Sequence, residues 1–541
     1  MKVAVIGSGA AGLSATWALN EYSDHEVHLY ESDDRAGGHA NAVPFISKDE
    51  NGREQSAYVD TGFIVFNPYT YPNFLRFLKL YPNIAILPTQ MSFSISRDNG
   101  AFEWASDSLA TLFCQPWRIF DATIWRMLYD IFRFNASARR LVNRWSKAHI
   151  DDYDDCSIGE YLERGAYSDA FRDNYLIPMT AAIWSTPPNT CALDFPARTL
   201  IQFMHNHFLL QLTGKPSWLI FKDGRQAYIK MILSKLVSSR LHLCAPVKSV
   251  KNASFDKRMV LITVDGREEV FDHVIMACHS DIALSILKEG GDIRPEEEKI
   301  LSMFKWNKNE SVLHSDTRLL PKSYLAKSCW NYLSFSTAMP DGQTKANNDQ
   351  VSHVYAFWSS LASLTPTNLF PTVDMNVLQH IPEKKHGPVL VSINPPFEPE
   401  PSTVRGRWMY DHPVLDGNAI RAQRMLKTIQ GTRGITYAGG FHNFGFHEDA
   451  FTSGLLAATT YSGLNVKLPF DLEFAEGSPW GDSLKKRPAK RDSSAELMAM
   501  IFDIIQAGGV RFIIGTAGLL LMGHAGISKG QVLRLINSFW R

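Results

Sequence analysis

The sequence lacks an excess of charge of either sign. Its 541 residues include 55 Lys+Arg and 55 Asp+Glu, so the formal net charge is zero. Proteins that bind nucleic acid carry a cationic surface, which this composition does not supply. Intrinsic disorder is excluded as well, because 45% of the residues are hydrophobic and 12% are aromatic. The composition predicts a large folded protein with more than one domain and without nucleic acid as a partner.

Cysteine is scarce and widely spaced. The six cysteines form no CxxC pair and no Cys/His cluster at zinc spacing; they are Cys114, Cys156, Cys191, Cys244, Cys278 and Cys329. We therefore expect neither a disulfide framework nor a metal site. The first apolar run stops at Gly7, which makes it too short for a signal peptide. A cytoplasmic catalytic domain is therefore predicted.

A glycine-rich motif follows the first predicted strand, Lys2–Ile6. It reads GxGxxG and opens a helical run; the positions expected to meet a cofactor are Gly7, Gly9, Ala11 and Gly12. In this motif the first glycine permits a tight turn, the second lets the backbone approach a pyrophosphate, and the third lets the helix pack closely on the strand. The first amides of the helix then face the phosphates.

A second predicted strand, Glu26–Tyr30, leads directly into Glu31. A carboxylate at this distance from the glycines is placed to accept hydrogen bonds from a ribose hydroxyl. Strand, helix, second strand and acid together predict a dinucleotide site rather than a glycine-rich turn without a ligand. The motif alone does not choose between FAD and NAD.

The residues after Glu31 favour FAD. The run from Glu31 to His39 resembles the E-x(3)-R-x-G-G-R stretch of the flavin-containing amine oxidase superfamily. Gly38 is the second glycine of its G-G pair. The resemblance implies that Gly38 and His39 pass the pyrophosphate. His39 stands where the pattern has arginine, and an imidazole holds phosphate less strongly than a guanidinium.

A further stretch, from Tyr58 to Asn67, resembles the segment that lies against the isoalloxazine ring in that superfamily. The resemblance implies that Gly62 and Phe63 lie beside the flavin. Gly62 permits a close backbone approach to the ring. The alternative is a plain hairpin corner.

Later segments narrow the resemblance to a subgroup. They are Tyr175–Ser185, Val312–Asp316, Asn376–His380 and Tyr437–Asp449. These are similar to predicted NAD/FAD-binding proteins related to amine oxidases, phytoene desaturases and protoporphyrinogen oxidase, over residues 1 to about 465. The implied fold is α/β, with a Rossmann-like FAD-binding domain of amine-oxidase type, an inserted α+β substrate domain and a C-terminal helical tail. Members are described beside cyclopropane-fatty-acid synthase-like enzymes, which implies lipid substrates.

The resemblance supplies the remaining cofactor contacts. Val247 falls in a strand whose valine backbone meets adenine. Gly440 falls in a glycine pair that meets the ribityl phosphate, and Glu448 and Asp449 open a helix whose N-terminus faces the pyrimidine end of the flavin. Amides at a helix N-terminus stabilise negative charge there.

No second GxGxxG follows a strand in this sequence. We therefore expect a small hydrophobic substrate, rather than a pyridine nucleotide, to reduce the flavin, and oxygen or another electron acceptor to reoxidise it. A redox-neutral use of the flavin, as in double-bond isomerisation, stays open. Covalent attachment is not expected, because the monoamine oxidases use a cysteine before the last flavin segment and no cysteine follows Cys329.

Two aromatic residues are predicted as walls of the substrate pocket. Phe446 matches the tyrosine of the superfamily's Gly-Tyr-x-Glu pattern, one wall of the cage beside the flavin face. Phenylalanine keeps the apolar wall and loses the hydroxyl, which favours an alkyl or alkenyl substrate over an amine. Trp184 is the second wall, with a buried core tryptophan as an equal alternative. The sequence shows no acid–base constellation.

The expected domains are discontinuous. Residues 1–88, 215–290 and 405–465 form the FAD-binding domain, residues 89–214 and 291–404 form the substrate domain, and residues 466–541 form a basic linker and an apolar tail. The helical region Trp117–Trp145 either faces the core with a solvated basic side or presents an amphipathic face to lipid. The loop at residues 343–350 is expected to be flexible.

The tail combines charge and hydrophobicity. A cationic run, Lys485–Arg491, precedes two apolar segments, Leu497–Gln506 and Phe512–Ile527. The second apolar segment has 16 residues, about 24 Å as a helix, and a bilayer core is about 30 Å thick. We favour an interfacial anchor through residues 497–527, with a single span and a soluble helix as alternatives.

The sequence thus predicts an FAD-dependent oxidoreductase that takes hydride from a hydrophobic, unsaturated acyl or isoprenoid-like substrate in an oxidation, desaturation or isomerisation. Amine oxidation with release of hydrogen peroxide is one alternative. A flavin-binding protein without turnover is another. The oligomeric state is not predicted.

Overall fold

A computed structural model describes the chain except at residues 49–50, 146–155, 185–192, 212–215, 223, 254–257, 336, 339–343, 346–369, 462, 476–477, 481–492 and 508–541. The loop at 343–350, apart from residues 344–345, and the apolar segment Phe512–Ile527 lie outside the described residues. The predictions for both stay open.

The strands are numbered in chain order: β1 Lys2–Ile6, β2 Glu26–Tyr30, β3 Ala42–Lys48, β4 Glu54–Asp60, β5 Ile86–Thr89, β6 Phe93–Arg97, β7 Phe102–Ala105, β8 Trp218–Phe221, β9 Leu241–His242, β10 Val247–Asn252, β11 Met259–Thr263, β12 Glu268–Phe271, β13 His273–Met276, β14 Lys305–His314, β15 Trp330–Ser334, β16 Thr337–Ala338, β17 Thr344–Lys345, β18 Phe370–Asp374, β19 Leu390–Ile393, β20 Gly406–Val414 and β21 Ile435–Tyr437.

The α-helices are numbered likewise: α1 Ala10–Tyr22, α2 Pro72–Lys79, α3 Leu109–Leu112, α4 Ala122–Trp145, α5 Ile158–Arg164, α6 Asp169–Phe171, α7 Ile177–Trp184, α8 Ala197–Asn206, α9 Gln226–Ser234, α10 Ser280–Gly290, α11 Pro295–Leu301, α12 Met375–Leu378, α13 Glu383–His386, α14 Gly417–Met425, α15 His447–Leu456 and α16 Ser493–Ala507.

The first strand lies in the middle of a parallel five-stranded sheet. The order is β21-β13-β1-β2-β9, and Val5 pairs with Leu29 on one side and Ile275 on the other. Val3 and Val5 are fully buried because helices or further strands cover both faces of the sheet, as is usual for parallel sheets. The strands predicted at Lys2–Ile6 and Glu26–Tyr30 are confirmed, and so is the Rossmann-like α/β class.

One face of this sheet carries α1, against which α15 packs. The contact is close because Gly454 of α15 offers no side chain: a Cβ there would lie 2.0 Å from the carbonyl oxygen of Ala11. The Ser14 hydroxyl donates to the Phe451 carbonyl at 2.7 Å. The N-terminus of α15 is thereby fixed relative to the glycine-rich turn, although 437 residues separate the hydrogen-bonded pair along the chain.

A second, mixed sheet of seven strands has the order β20-β14-β19-β18-β15-β6-β7. Its side chains form one apolar core with α4 and α8, including Trp104, Phe134 and Phe203. Strand β20 joins this sheet by pairing with β14 over its whole length. The division into domains stays a prediction.

The region Trp117–Trp145 contains a 3-10 turn, Pro116–Phe120, followed by α4. Helix α4 buries Met127, Ile131 and Phe134 in the core. Its basic residues are not all solvated, because Asp130 is fully buried between Arg126 and Arg133, each with a contact of 2.9 Å. Helix α4 therefore matches the alternative in which the region Trp117–Trp145 faces the core.

Helix α16, in the tail, packs on α4. The rings of Tyr129 and Phe502 meet edge to face at 5.5 Å, and Arg140 pairs with Asp503. Over the described residues, none of the helices has the length and hydrophobicity needed to cross a membrane.

Candidate functional site

The glycine-rich turn after β1 has the shape that a pyrophosphate requires. Gly7 has φ +97, and a Cβ there would lie 2.7 Å from the carbonyl oxygen of Ala277; a Cβ at Gly12 would lie 1.8 Å from the carbonyl oxygen of Gly7. Gly9 differs from both, because a Cβ there would meet nothing within 4 Å. Gly7 and Gly12 therefore shape the turn, while Gly9 exposes backbone to an open space.

That open space lies at the N-terminus of α1. Gly9 is the N-cap residue, so no side chain caps this end within the described structure, and the first turn, at Ala10 and Ala11, contains no acidic residue. Unpaired amides at a helix N-terminus bind anions. The turn is suited to a diphosphate.

Glu31 lies beside the turn at the end of β2, as the motif predicts. Its carboxylate accepts hydrogen bonds from the Ser8 amide at 2.9 Å, from the Ser8 hydroxyl at 2.5 Å and from the Asp33 amide at 3.0 Å. These donors fix the carboxylate at the edge of the turn. Val247 begins β10 and is half-buried, near Ala245, whose amide donates to the Glu31 carbonyl at 2.8 Å.

The second glycine pair folds onto the first motif. Gly38 has φ +54, and a Cβ there would lie 3.1 Å from the Cα of Gly9. The two Nη atoms of Arg35 donate to the Gly38 carbonyl at 3.1 Å each. The Arg35 side chain therefore supports the loop.

His39 belongs to a group of aromatic side chains. Its ring lies 5.0 Å from Tyr410, 5.4 Å from His412 and 5.9 Å from His279 between centroids. Burial, together with these histidines and Arg35, holds the pKa of His39 well below its usual range. The imidazole is therefore neutral, which agrees with the expectation that it holds phosphate weakly.

Gly62 forms a tight corner against His39. A Cβ at Gly62 would lie 2.3 Å from the His39 carbonyl oxygen and 3.3 Å from the Tyr410 ring. The Tyr410 hydroxyl shares a hydrogen bond with Thr61 at 2.7 Å and accepts one from Asn41 at 3.0 Å. Sequence reasoning missed Tyr410, because this residue lies on β20, in the other sheet.

A chain of amide and imidazole side chains in hydrogen-bond contact lies at the same corner. Asn394 donates to the Asn309 Oδ1 at 2.7 Å, and the Asn309 Nδ2 lies 2.8 Å from the His412 Nδ1. Burial lowers the pKa of His412 to about 4, and the same Nδ1 lies 3.1 Å from the Tyr410 carbonyl oxygen. These residues line up on neighbouring strands, and no motif marks them in the sequence.

Phe63 lies between a guanidinium and an imidazole. The Arg225 Cζ is 4.0 Å from its ring centroid, and the His447 ring stacks at 4.0 Å with an interplanar angle of 16°. Two groups at this distance cannot share one face, so they cover opposite faces of the ring. The predicted flavin neighbour Phe63 is thus held rigidly.

Arg225 is fully buried beside Asp60, with 3.0 Å between Nη1 and Oδ2. Gln379 also donates to Asp60 at 2.8 Å. Burial raises the pKa of Asp60, and Arg225 opposes that effect. In the described part of the chain, Arg225 Nε and Nη2 have no hydrogen-bond partner. Sequence reasoning missed this pair; its only signal is the Asp60 within the stretch that contains Gly62.

Helix α15 begins at His447, close to the predicted start at Glu448, with Phe446 as its N-cap residue. The Glu448 carboxylate accepts the backbone amides of Asn73 at 2.9 Å and Phe74 at 3.0 Å. It therefore caps the N-terminus of α2. Asp449 accepts the Phe446 amide at 2.9 Å and closes its own helix end. Both side chains are used within the protein, and their contact with a cofactor stays a prediction.

The glycine pair before α15 packs tightly as well. A Cβ at Gly440 would lie 3.2 Å from the backbone of Gly445, and the Gly439 amide donates to the Ser453 hydroxyl at 2.8 Å. The loop from Gly439 to Phe446 is therefore fixed against the helix whose N-terminus it precedes.

A small cavity of about 30 Å³ lies at the start of α15. It is lined by Thr70, Tyr71, Pro72, Asn206, His207, Asn443, Phe444, Phe446, Glu448, Asp449, Thr452, Glu473, Phe474, Ala475, Ser478 and Trp480. Phe446 is one of its walls, and its ring stacks on Phe203 at 5.1 Å. Its role as a wall of the substrate pocket stays a prediction. Trp184 ends α7, and its side chain lies outside the described residues.

Burial shifts the titrating groups of this cavity. It lowers the pKa of His207 to about 4 and raises those of Glu448 to about 8 and Asp449 to about 7, although both carboxyl groups accept backbone amides. The cavity therefore favours neutral side chains. Within the described residues, no group of three or more His, Cys, Asp or Glu side chains is arranged to hold a metal ion.

One wall of the cavity comes from the segment after α15. We call residues 473–480 the strap; its described residues Glu473, Phe474, Ser478 and Trp480 line the cavity. Asn73 donates to the Glu473 carbonyl at 2.8 Å, and the Arg76 side chain pairs with the Glu473 carboxylate. The strap is thus attached to α2.

These features fit FAD. A diphosphate matches the open helix end at Gly9, a ribose matches the fixed carboxylate of Glu31, and a flat ring matches the close backbone at Gly62. The unpartnered donors of buried Arg225 add polar groups that a ligand can satisfy. The fold and this set of features define a flavin-dependent oxidoreductase.

Comparison with known proteins agrees. The profile of the family described as flavin containing amine oxidoreductase matches residues 10–302, more than half of the chain. The chain belongs to this family, and it is an FAD-dependent oxidoreductase. Among curated protein sequences, none matches the chain significantly.

Solved structures show the same fold at low sequence identity. A fatty acid isomerase from P. acnes that produces CLA superposes with a TM-score of 0.55 at 14% identity, covering 85% of this chain and 98% of that one. Cyclohexylamine oxidase from Brevibacterium oxydans gives 0.55 at 12%, covering 85% and 98%. A putrescine oxidase mutant gives 0.56 at 12%, covering 84% and 97%.

Proposed function

We propose that this protein oxidises, desaturates or isomerises a hydrophobic, unsaturated acyl or isoprenoid-like lipid. The observation that carries the proposal is the position of Phe446, an apolar ring without a hydroxyl, in the wall of the cavity at the N-terminus of α15. An electron-rich phenol orients an amine, whereas a phenyl ring offers an alkyl chain contact area alone. The fatty acid isomerase with the same fold is consistent with this substrate class.

We assign the cofactor contacts accordingly. The amides at Gly9 and the start of α1 hold the diphosphate of FAD, Glu31 holds a ribose hydroxyl, and the backbone at Gly62 and Phe63 faces the ring. The remaining contacts are assigned to Gly7, Ala11, Gly12, Gly38, His39, Val247, Gly440, Glu448 and Asp449. When bound, the FAD supplies the acceptor for a hydride from substrate carbon. We expect it to be held without a covalent bond.

The protein's own residues position the substrate and keep water away. Phe446 stacks on Phe203 and lies 5.3 Å from the His207 ring, so this wall is stiff as well as apolar. His207 is neutral because burial lowers its pKa to about 4, and its ring donates to the Phe203 carbonyl at 2.9 Å. A dry wall of neutral groups suits transfer of hydride from carbon.

Entry of a lipid requires movement. A cavity of about 30 Å³ has room for about two water molecules and is far smaller than an acyl chain. The strap forms one wall of the cavity, and Trp480 on it is half-buried. We propose that the strap shifts when substrate enters. We further propose that residues 497–527 contact a membrane, which would be the source of such a substrate.

The test is reduction of the bound flavin under anaerobic conditions. Unsaturated fatty acids should bleach the flavin or return with a shifted double bond, and small amines should do neither. If amines bleach the flavin and release aldehyde with hydrogen peroxide after oxygen is admitted, the protein is an amine oxidase and the lipid proposal is wrong. The two amine oxidases with this fold make the amine panel the proper comparison.

A further inference from the structure

The 3-10 turn before α4 presents large apolar side chains to solvent. Phe120 is 86% exposed, Trp117 is 65% exposed and Ile119 is 47% exposed. Single exposed apolar residues are ordinary, but aromatic residues grouped on one turn are unusual on a monomer's surface and mark an interaction site.

Hydrogen bonds hold this turn in place. The guanidinium of Arg118 donates to the Gln115 Oε1 at 2.6 Å, to Asp121 at 2.9 Å and to the Ala101 carbonyl at 2.6 Å. The Trp125 indole donates to the Ile119 carbonyl at 2.7 Å. The polar side chain of the turn therefore points back to the protein, and its apolar neighbours are displayed on a preformed support.

Helix α16 has an apolar outer face. Leu497, Ile501 and Ile504 are 55%, 39% and 56% exposed and recur at helical spacing. The opposite side carries Ala499, which is fully buried, and Phe502, which contacts α4. The outer face is therefore not the side that docks on the protein.

The fold brings the two features to one side of α4. Tyr129, whose ring meets Phe502 of α16, follows Trp125 by one helical turn on the same side of α4. Trp125 is 45% exposed, and its indole donates to the Ile119 carbonyl of the turn before α4. We call this surface the apolar face: Trp117, Phe120, Trp125, Leu497, Ile501 and Ile504.

The sequence before α16 selects the occupant of the apolar face. Five cationic residues without an acidic one occupy positions 485–491, and Asp492 alone separates them from α16. Anionic lipid attracts such a segment, whereas the cationic segments of two copies repel each other. Exposed aromatic and aliphatic side chains together with a cationic segment in the sequence are typical of proteins that lie on a bilayer.

We propose that the apolar face is a membrane-docking surface for a bilayer that contains anionic lipid. This inference rests on the proposed function, because a docked protein has access to acyl substrate in the bilayer. The docking surface includes the turn at Trp117 and Phe120 as well as helix α16.

The experiment is flotation of the full-length FAD-loaded protein with vesicles. Vesicles of phosphatidylcholine alone are compared with vesicles that contain phosphatidylglycerol. We expect binding to the anionic vesicles, with affinity lowered about tenfold or more in a Trp117→Ser/Phe120→Ser variant and in an Ile501→Ser/Ile504→Ser variant. Replacement of the five cationic residues by glutamine should remove the preference for anionic lipid.

The matched control is Val264→Ser, since Val264 is 63% exposed and lies between β11 and β12, which belong to a different sheet. It should bind like the unaltered protein. Retained FAD absorbance in each variant shows that the fold is intact.

Three results would overturn the proposal. The first is that the unaltered protein stays at the bottom of the gradient with anionic vesicles. The second is that the Trp117→Ser/Phe120→Ser variant floats like the unaltered protein. The third is that vesicles are not bound and light scattering shows a dimer that this variant abolishes. None of these outcomes bears on flavin bleaching by detergent-dispersed substrate, so the proposed function fails or stands separately.

Discussion

Asn73 and Glu473 exchange a pair of hydrogen bonds. The Asn73 Nδ2 donates to the Glu473 carbonyl at 2.8 Å, and the Glu473 amide donates to the Asn73 Oδ1 at 2.9 Å. The Asn73 backbone amide also donates to Glu448, which caps the N-terminus of α2. One buried amide therefore links the strap, α2 and the N-terminus of α15 at the edge of the cavity.

Replacing Asn73 by alanine should loosen the strap. The change removes these two bonds and the Nδ2 bond to Thr452 at 2.9 Å, and leaves buried backbone groups unpaired. We expect a loss of about 2–3 kcal/mol in the free energy of unfolding, measured by urea denaturation. Asn20→Ala is the control, because its bond to the Lys235 carbonyl is exposed, and its cost should stay below about 1 kcal/mol. Equal losses in the two variants would contradict the account.

Alanine substitutions at Gly9 and Gly12 should have different effects, the first on FAD binding and the second on folding. A Cβ at Gly12 would lie 1.8 Å from the Gly7 carbonyl oxygen, whereas a Cβ at Gly9 would meet no protein atom within 4 Å. Gly12→Ala should therefore destabilise the apoprotein. Gly9→Ala should leave its melting temperature unchanged and weaken FAD binding about tenfold or more, because the methyl group enters the space of the diphosphate. Fluorescence titration of the apoprotein with FAD measures the affinity. Unchanged affinity in Gly9→Ala would remove Gly9 from the site.

The buried pair of Arg225 and Asp60 should be costly to break on one side. Arg225→Met leaves an uncompensated carboxylate in the core and should cost about 3–5 kcal/mol in the free energy of unfolding. Adding Asp60→Asn should recover a large part of that loss, because the double variant buries no charge. A double variant as unstable as the sum of the two single variants would show that the pair is not coupled.

His207 should contribute to acid sensitivity. Burial lowers its pKa in the folded protein to about 4, below the usual 6.5. Below pH 6.5 the unfolded chain therefore binds a proton that the folded protein does not, and stability falls as the pH falls toward 4. His207→Gln should reduce the loss between pH 7.5 and pH 5 by about 2 kcal/mol. Urea denaturation at both pH values measures it. His380→Asn, at an exposed position, is the control, and a His207→Gln variant with the unaltered pH dependence would contradict the assignment.

Phe446 should govern the rate of substrate oxidation. Phe446→Ala removes a ring that stacks on Phe203, and we expect kcat/KM for an unsaturated fatty acid to fall by about one to two orders of magnitude. Phe446→Tyr adds a hydroxyl to the apolar wall and should lower it less. Stopped-flow bleaching under anaerobic conditions gives the rates. Phe335→Ala, at an exposed ring, should leave them unchanged; if Phe446→Ala does so too, the cavity is not the substrate site.

The parts of the fold that local patterns encode were predictable. Val3 and Val5 before the glycines, and the acid after the second strand, predict β1, α1 and β2 because each signal lies within one short stretch. The predicted family and the predicted FAD cofactor are also confirmed. The motifs that predict them contain glycines at positions where a Cβ would collide with the backbone, as at Gly7 and Gly12.

The polar surroundings of the site were not predictable. Tyr410 meets Thr61 across 349 residues, and Gln379 meets Asp60 across 319. Such contacts depend on how two sheets pack, and single-sequence patterns carry no record of that packing. The side chains of Glu448 and Asp449 show the same limit: the motif marks the helix end, whereas their capping of α2 and α15 follows from tertiary structure.

The most direct test of the central claim is the anaerobic reaction of the purified, FAD-loaded protein with two matched substrate panels, unsaturated fatty acids and small primary amines. The account predicts that fatty acids bleach the flavin or return with a moved double bond, and that amines leave both flavin and amine unchanged. Bleaching by the amines, with no change in any fatty acid, would contradict it.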